Sequence, residues 1–344
     1  MKDRLAVGTL RLFETVIGIL PRGLCRAAGD ILGMSAYHLD GRRRRIALGN
    51  LEKAFGSERS PEERARIVRA SYRNFGRMVF DLFKLACMSD AALDRIVRFD
   101  GGEHIAAALA GRRGALLFTG HFGNWEIASF AVSRLGPLSV VARRLDSAPL
   151  EIRLRALRER FGAAVIEKTR AARAVLQVLR NNGIAAILID QNVLRSQGIF
   201  VDFFGYPAST TPALAALAIR AGCPILPVFC RPESGGTYRV VVGPPVSFEA
   251  TGRSAGDVLK LTQRCTKMIE TEIRNTPEQW LWAHDRWRSR PRNNLDVVLG
   301  AGKEVVDADD VGAVGDQGVA EVAAEKPGAP RDQDPFHPSS FLRP

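Results

Sequence analysis

GALLFTGHFGNWE, residues 114 to 126, runs from an apolar strand-like stretch into a turn and then into helix-like sequence. Ala115–Phe118 is a short continuous apolar run, the pattern of a strand buried on both faces of a parallel sheet. The residues after it, a His, a Gly-Asn pair and a Trp-Glu, are ones that strand interiors avoid. Their position predicts a strand-turn-helix unit, with His121 in the turn and Glu126 in the first turn of the helix.

The same unit recurs between about residues 100 and 245. The runs GALLFTG, LSVVAR, GAAVIEK, IAAILID, CPILPVFC and YRVVVG are separated by helix-like segments at 124–135, 149–160, 170–181 and 210–221. Strands alternating with helices predict an α/β fold with a largely parallel central sheet flanked by helices. Ligands of such sheets gather outside the carboxyl ends of the strands. His121, Arg143 and Arg144, Lys168, and Asp190–Asn192 all follow apolar runs at those places.

Outside this core, residues 1–95 are expected to form an N-terminal helical region, 96–294 the α/β domain, and 295–344 an acidic, disordered tail. The first apolar segment, LAVGTLRLFETVIGILP, is interrupted by Arg11 and Glu14 and stops at Pro21. That is short of the roughly 20 apolar residues of a membrane span, and no cleavage pattern of a secretory signal follows it. On a helical wheel its wide apolar face could lie in a membrane interface or pack on the protein body. Arg42–Arg45 form a basic run inside the helix-like GRRRRIALGNLEKAF, either a solvated face or a contact with an anionic surface. Pro61 followed by Glu62 and Glu63 starts a helix over 61–87, and a last helix is expected at 255–275.

The 344-residue chain has 49 Lys and Arg against 37 Asp and Glu, a net charge of +12. Residues 301–344 hold nine acids and four bases, so the tail carries −5 and the remainder +17. Such a surplus suits a polyanionic partner: nucleic acid, an anionic membrane or a phosphorylated substrate. Cys25, Cys87, Cys223, Cys230 and Cys265 are scattered, without metal-ligand spacing, and are expected to be reduced thiols. No metal site or cofactor is expected.

Across a strand-turn-helix, His121 and Glu126 can converge. A carboxylate on one ring nitrogen fixes the tautomer of a histidine, and the other nitrogen is then free to take a proton from a hydroxyl. Backbone N–H groups at Gly123 and Asn124 would serve a developing oxyanion. These are the parts of acyl transfer to an alcohol. On spacing alone, however, a surface His and a helix-capping Glu are the better-supported interpretation.

TGHFGNWE resembles the signature of the H-x-x-x-x-D/E acyltransferases, and in particular the late (lauroyl/myristoyl) acyltransferases of lipid A biosynthesis. RRRRIALGNLEKAFG is similar to that family's N-terminal helical motif. DQNVLRSQGIFVDFFGYPASTTPALAALAIRAGCPILPVF resembles its D-Q…G-x-F-V-x-F-F-G block, and PEQWLWAHDRW its closing motif. The likeness covers about residues 5–290 in order. It departs at Arg144 and at Val201-Asp202, where the family commonly has proline, which bears on the acceptor more than on the reaction.

The resemblance implies a glycerolipid-acyltransferase-like fold, with His121 as general base and Glu126 as its orienting partner. It also implies a phosphate or acceptor contact at Arg143, substrate contacts at Lys168 and Gln191, and a phosphate contact at Arg286. Asp190 matches a family position and could orient a base or bind acceptor sugar hydroxyls; a plain strand-end turn is the alternative. Phe203 and Phe204 are expected to pack. Trp280, Trp282 and Trp287 are expected to pack or to sit at a membrane interface. The implied activity is acyl transfer from acyl carrier protein to a hydroxyl of a phosphorylated lipid A precursor, at the cytoplasmic face of a bacterial inner membrane. Two alternatives stay open. One is another glycolipid acceptor such as a phosphatidylinositol mannoside, or an acyl-CoA donor. The other is a non-enzymatic basic module binding membrane or nucleic acid, although no nucleic-acid-binding motif is present.

Overall fold

The computed structural model describes residues 2–249, 251 and 254–291. The acidic tail expected over 295–344 lies outside them. The chain begins with helices α1 (Lys2–Ile19), α2 (Arg22–Leu39), α3 (Gly41–Phe55), α4 (Pro61–Ala86) and α5 (Asp90–Asp94). Pro61 at the first helical position starts α4, as its sequence predicts, and a reciprocal Ser60–Glu63 capping box joins it. α2 and α4 cross with their backbones in contact. A Cβ on Gly33 would collide with the Tyr72 carbonyl, and one on Gly76 with the Gly29 carbonyl.

Strand β1 (Val97–Asp100) and helix α6 (Gly102–Ala110) lead into the alternating region. It continues through β2 (Ala115–Thr119), α7 (Trp125–Ser133), β3 (Leu138–Ala142), α8 (Ala148–Arg160), β4 (Ala163–Glu167), α9 (Ala171–Arg180) and β5 (Ile184–Leu188). A hairpin of β6 (Ile199–Phe203) and β7 (Tyr206–Thr210) follows, then α10 (Ala213–Ala221), β8 (Ile225–Pro232), β9 (Tyr238–Val242) and α11 (Ser254–Asn275). All six apolar runs are strands of one seven-stranded sheet in the order β1-β9-β8-β2-β5-β3-β4. Every pairing is parallel except β8 with β9. This is the α/β fold with a largely parallel sheet that the alternation predicts. β1 and the β6–β7 hairpin are additions that the apolar runs do not announce.

β2 sits in the middle of the sheet and is buried along its whole length. Its side chains alternate between two cores. Leu116 and Phe118 pack with α3, α4 and α11, while Ala115 and Leu117 pack with α6 and α7. The segment after α11 returns over the first of these cores and buries Trp280, Trp282 and Trp287 in it. Packing is therefore the role that the three indoles take. α3 and α4 hold this closing segment by its carbonyls. Asn50 donates to Trp282 O and His284 O (both 2.7 Å), Arg43 to Ala283 O (3.3 Å), and Asn74 to Glu278 O (2.9 Å). Arg43, the second member of the basic run, is thus turned inward, whereas Arg42 and Arg45 are exposed.

No helix among the described residues is long and apolar enough to cross a membrane. α1 and α2 instead expose single apolar side chains at helical spacing: Leu12, Val16 and Ile19 on one, Leu24, Ile31 and Leu39 on the other.

Candidate active site

The parallel register of β2 and β5 pairs Thr119 with Leu188. Two residues further along each strand come His121 and Asp190, so the sheet itself delivers these side chains to one another. Asp190 is 4% exposed and its carboxylate is fully engaged. Oδ1 lies 2.8 Å from His121 Nδ1, while Oδ2 accepts from the His121 backbone N–H (2.8 Å) and from Trp280 Nε1 (2.7 Å). Burial alone would raise the Asp190 pKa. The His121 charge and the three donors outweigh it and hold the carboxyl down at about 2. An ionised Asp190 selects the Nδ1–H tautomer of His121 and leaves Nε2 with its lone pair. The His121 side chain keeps 21% exposure. Its Nε2 lies 3.3 Å from the Gln191 side-chain amide, and the Trp125 indole meets the imidazole edge-on at 5.0 Å.

The turn between β2 and α7 is built by its backbone. Gly123 has φ +57°, and a Cβ there would collide with the Cys230 carbonyl on β8, so the position demands glycine on two counts. The Gly123 N–H donates to Gln279 O (2.9 Å), and the Leu281 N–H donates to His121 O (3.1 Å). The Asn124 side chain caps α7 by accepting from the Ile127 N–H at 3.3 Å. Gly123 and the Asn124 side chain are therefore committed to holding the turn. The Gly123 N–H expected to serve an oxyanion is thus bonded to the Gln279 carbonyl.

Glu126 is the main departure from expectation. It is 8% exposed, and Arg158 of α8 takes both of its oxygens, with Nε at 2.9 Å from Oε2 and Nη2 on Oε1. The ring nitrogen assigned by spacing to Glu126 is held by Asp190 instead. The physical reason is the helix. Glu126 lies in the first turn of α7, whose axis leads away from the strand end and carries the carboxylate towards α8. The Glu126 charge counters the desolvation of Arg158 and raises the guanidinium pKa. Glu151, on the same helix as Arg158, accepts from the Leu145 N–H at 2.9 Å. The loop after β3 is thereby tied to α8.

Arg143 and Lys168 stand at the carboxyl ends of the next two strands. The Arg143 side chain is 63% exposed and pairs with Asp146 at 3.4 Å. Lys168 is exposed too, though enough protein surrounds its ammonium that desolvation, followed by the Arg143 charge, lowers its pKa. Two neighbouring cations at an open strand end are an arrangement that an anion relieves. Arg286 is different: it has no exposed surface. It donates to Ser209 O (2.6 Å) and to the Thr210 hydroxyl and lies over the Phe203 ring at 5.2 Å. Burial pulls its pKa down to about 10, with Asp190 opposing the fall. The phosphate contact expected of Arg286 is replaced by a structural one: it fastens the β6–β7 hairpin beneath the site. Among the described residues no His, Cys, Asp and Glu cluster has the makings of a metal site.

Residues 9–289 match a family model described as bacterial lipid A biosynthesis acyltransferase. A phosphatidylinositol mannoside acyltransferase of Mycobacterium tuberculosis (strain CDC 1551 / Oshkosh) is 32% identical over 225 residues, 63% of this chain and 69% of that relative. A lipid A biosynthesis palmitoleoyltransferase of Escherichia coli (strain K12) is 25% identical over 274 residues, 79% of this chain and 87% of the relative. A lipid A biosynthesis lauroyltransferase of the same organism is 25% identical over 274 residues, 79% of this chain and 88% of the relative.

Proposed function

Because the chain belongs to the bacterial lipid A biosynthesis acyltransferase family, we propose that it transfers a fatty acyl chain from a thioester to a hydroxyl of a phosphorylated glycolipid. The observation that carries this proposal is the His121–Asp190 pair. A buried carboxylate holds Nδ1 and leaves Nε2 with its lone pair, on a side chain that keeps 21% exposure. Nε2 takes the proton of the acceptor hydroxyl as its oxygen attacks the thioester carbonyl, a step typically worth roughly 10²–10⁴-fold in rate. Asp190 stabilises the imidazolium that results. The Gln191 amide, which faces Nε2 at 3.3 Å, is displaced by the hydroxyl and donates to the tetrahedral oxyanion. Collapse of the intermediate breaks the C–S bond, and the leaving thiolate recovers the proton from His121. Exchange of a thioester for an ester is downhill, so the balance needs no further reactant.

The donor in this proposal is acyl carrier protein and the acceptor a lipid A precursor, whose phosphates Arg143 and Lys168 receive. Both partners are anionic, in keeping with the +17 carried by residues 1–300. The reaction takes place at the cytoplasmic face of the inner membrane, with α1 and α2 lying in the interface. Their exposed apolar residues and the neighbouring Arg42 and Arg45 support that placement. A second acceptor, a phosphatidylinositol mannoside, is favoured by the 32% identity to the mycobacterial acyltransferase.

Transfer of labelled acyl groups from acyl carrier protein or acyl-CoA to a tetraacylated lipid A precursor and to a phosphatidylinositol mannoside tests these points together. Product with the first acceptor, abolished in His121→Ala, is the expected result. Product undiminished in His121→Ala would sink the mechanism, and product with the mannoside alone would select the second acceptor.

A further inference from the structure

The closing motif contains a second histidine, His284, which the chemistry above does not use. Its Nε2 accepts a hydrogen bond from the backbone N–H of Asn192 at 3.0 Å. Accepting requires the lone pair, so His284 is a neutral imidazole with its proton on Nδ1. Asn192 ends a three-residue turn in which each member is gripped differently. Asp190 holds His121, Gln191 presents its amide to His121 Nε2, and Asn192 hangs by its backbone on His284. The Asn192 side chain is bound on both ends by Ser289, at 3.1 Å each.

We infer that His284 is a positioning residue, whose imidazole sets the Asp190–Gln191–Asn192 turn so that Asp190 and Gln191 meet the two nitrogens of His121. The backbone of His284 is pinned independently of its ring: its carbonyl accepts from Asn50 and its N–H donates to Leu281 O. Removing the imidazole therefore takes away one acceptor beneath the turn and leaves the closing segment tethered. The Asn192 N–H then has to find a new partner, and the turn shifts to reach one. Small displacements at such a point are amplified in rate, because proton transfer and oxyanion binding both depend on sub-ångström placement.

The kinetic arm of the test rests on the acyl-transfer proposal; the spectroscopic arm does not. His284→Ala is expected to lower kcat about 10–100-fold while leaving KM for donor and acceptor within about threefold. His284→Gln places an oxygen near the position of Nε2 and is expected to recover most of that loss. His284→Asn places one near Nδ1 and is not. In proton–nitrogen NMR, His284 Nε2 should show the shift of an unprotonated nitrogen. The downfield His121 Nδ1–H resonance, bonded to Asp190, should move or broaden in His284→Ala and return in His284→Gln. A wild-type enzyme inactive on every acceptor would refute the acyl-transfer proposal and leave the resonance to decide on His284. An unmoved resonance, a protonated Nε2, or equal impairment of all three variants with a common loss of melting temperature would overturn the inference.

Discussion

The carboxyl ends of β2 and β5 and those of β3 and β4 lie side by side in one sheet but are built on opposite terms. At the first pair, the His121 and Asp190 side chains are bonded to each other, Asp190 is bonded to Trp280 of the closing segment, and Asp190 is almost sealed from water. At the second pair, Arg143 and Lys168 stand in solvent, and the ion pair of Arg143 with Asp146 is an exposed one. A sealed charge is costly unless every lone pair is satisfied, and once satisfied its geometry is rigid. An exposed cation holds little energy in its local pair, typically about 0–1 kcal/mol, and exchanges partners readily. One end of the sheet is suited to chemistry that tolerates no play, the other to capturing an anion that arrives and leaves.

Variants that break the sealed end should have the largest effects. His121→Ala is expected to reduce kcat by roughly 10³-fold or more, and Asp190→Asn by roughly 10²–10⁴-fold with KM little changed, in steady-state acyl transfer. Effects confined to KM in both variants, with kcat retained, would erase the distinction between the two ends. Glu126 lies on the boundary, where a charged residue of the sequence motif is used for structure. Glu126→Ala leaves Arg158 buried without its partner and should destabilise the fold by about 3–5 kcal/mol in urea unfolding, with a smaller loss of kcat in the folded fraction. At the open end, Arg143→Ala combined with Lys168→Ala should raise KM for a phosphorylated acceptor by roughly tenfold, about 1.4 kcal/mol, with kcat retained. That effect should shrink as salt is added, whereas the effect of Asp190→Asn should not.

A separate effect at the sealed end is expected on acid stability. Asp190 has its folded pKa depressed to about 2, so its contribution is fully present above the unfolded value and disappears as pH falls through the folded one. The contribution is about 2 kcal/mol. Unfolding curves of wild type and Asp190→Asn should therefore stay separated down to about pH 4 and converge by about pH 2. A separation that vanished by pH 5 would mean that the carboxylate is not held as described.

The strands were legible because a continuous apolar run between polar turns has little choice but the inside of a sheet, and six such runs became six strands. β1 was not legible: its VRFD alternates half-buried and exposed positions and carries two charges in four residues. His121 could be singled out from its place after a strand, whereas Asp190 stood only as a family position that could orient a base or bind sugar hydroxyls, with Glu126 expected as the partner. The contact with Asp190 depends on β2 and β5 being neighbours in the Thr119–Leu188 register, and strand order is a property of the whole sheet. Spacing along the chain pointed to Glu126 because five residues can span a turn. It carried no information about the direction in which α7 departs, or about Arg158 waiting on α8. Arg286 gave the same lesson. A guanidinium in a polar motif suggests a phosphate, and only the packed hairpin shows that its partners are a backbone carbonyl and a hydroxyl.

The segment from Pro277 onward supplies Trp280 to Asp190, the Gln279 carbonyl to Gly123, the Leu281 N–H to His121 O, and His284 to Asn192. During synthesis these residues leave the ribosome long after β2 and β5 have done so. A nascent chain that ends before Pro277 carries His121 and Asp190 on adjoining strands, yet without the bonds that the closing segment makes around them. Those bonds form only when roughly a dozen later residues pack over the strand ends. Order along the chain thus makes the contacts that frame His121 and Asp190 among the last of the described ones to become available during synthesis.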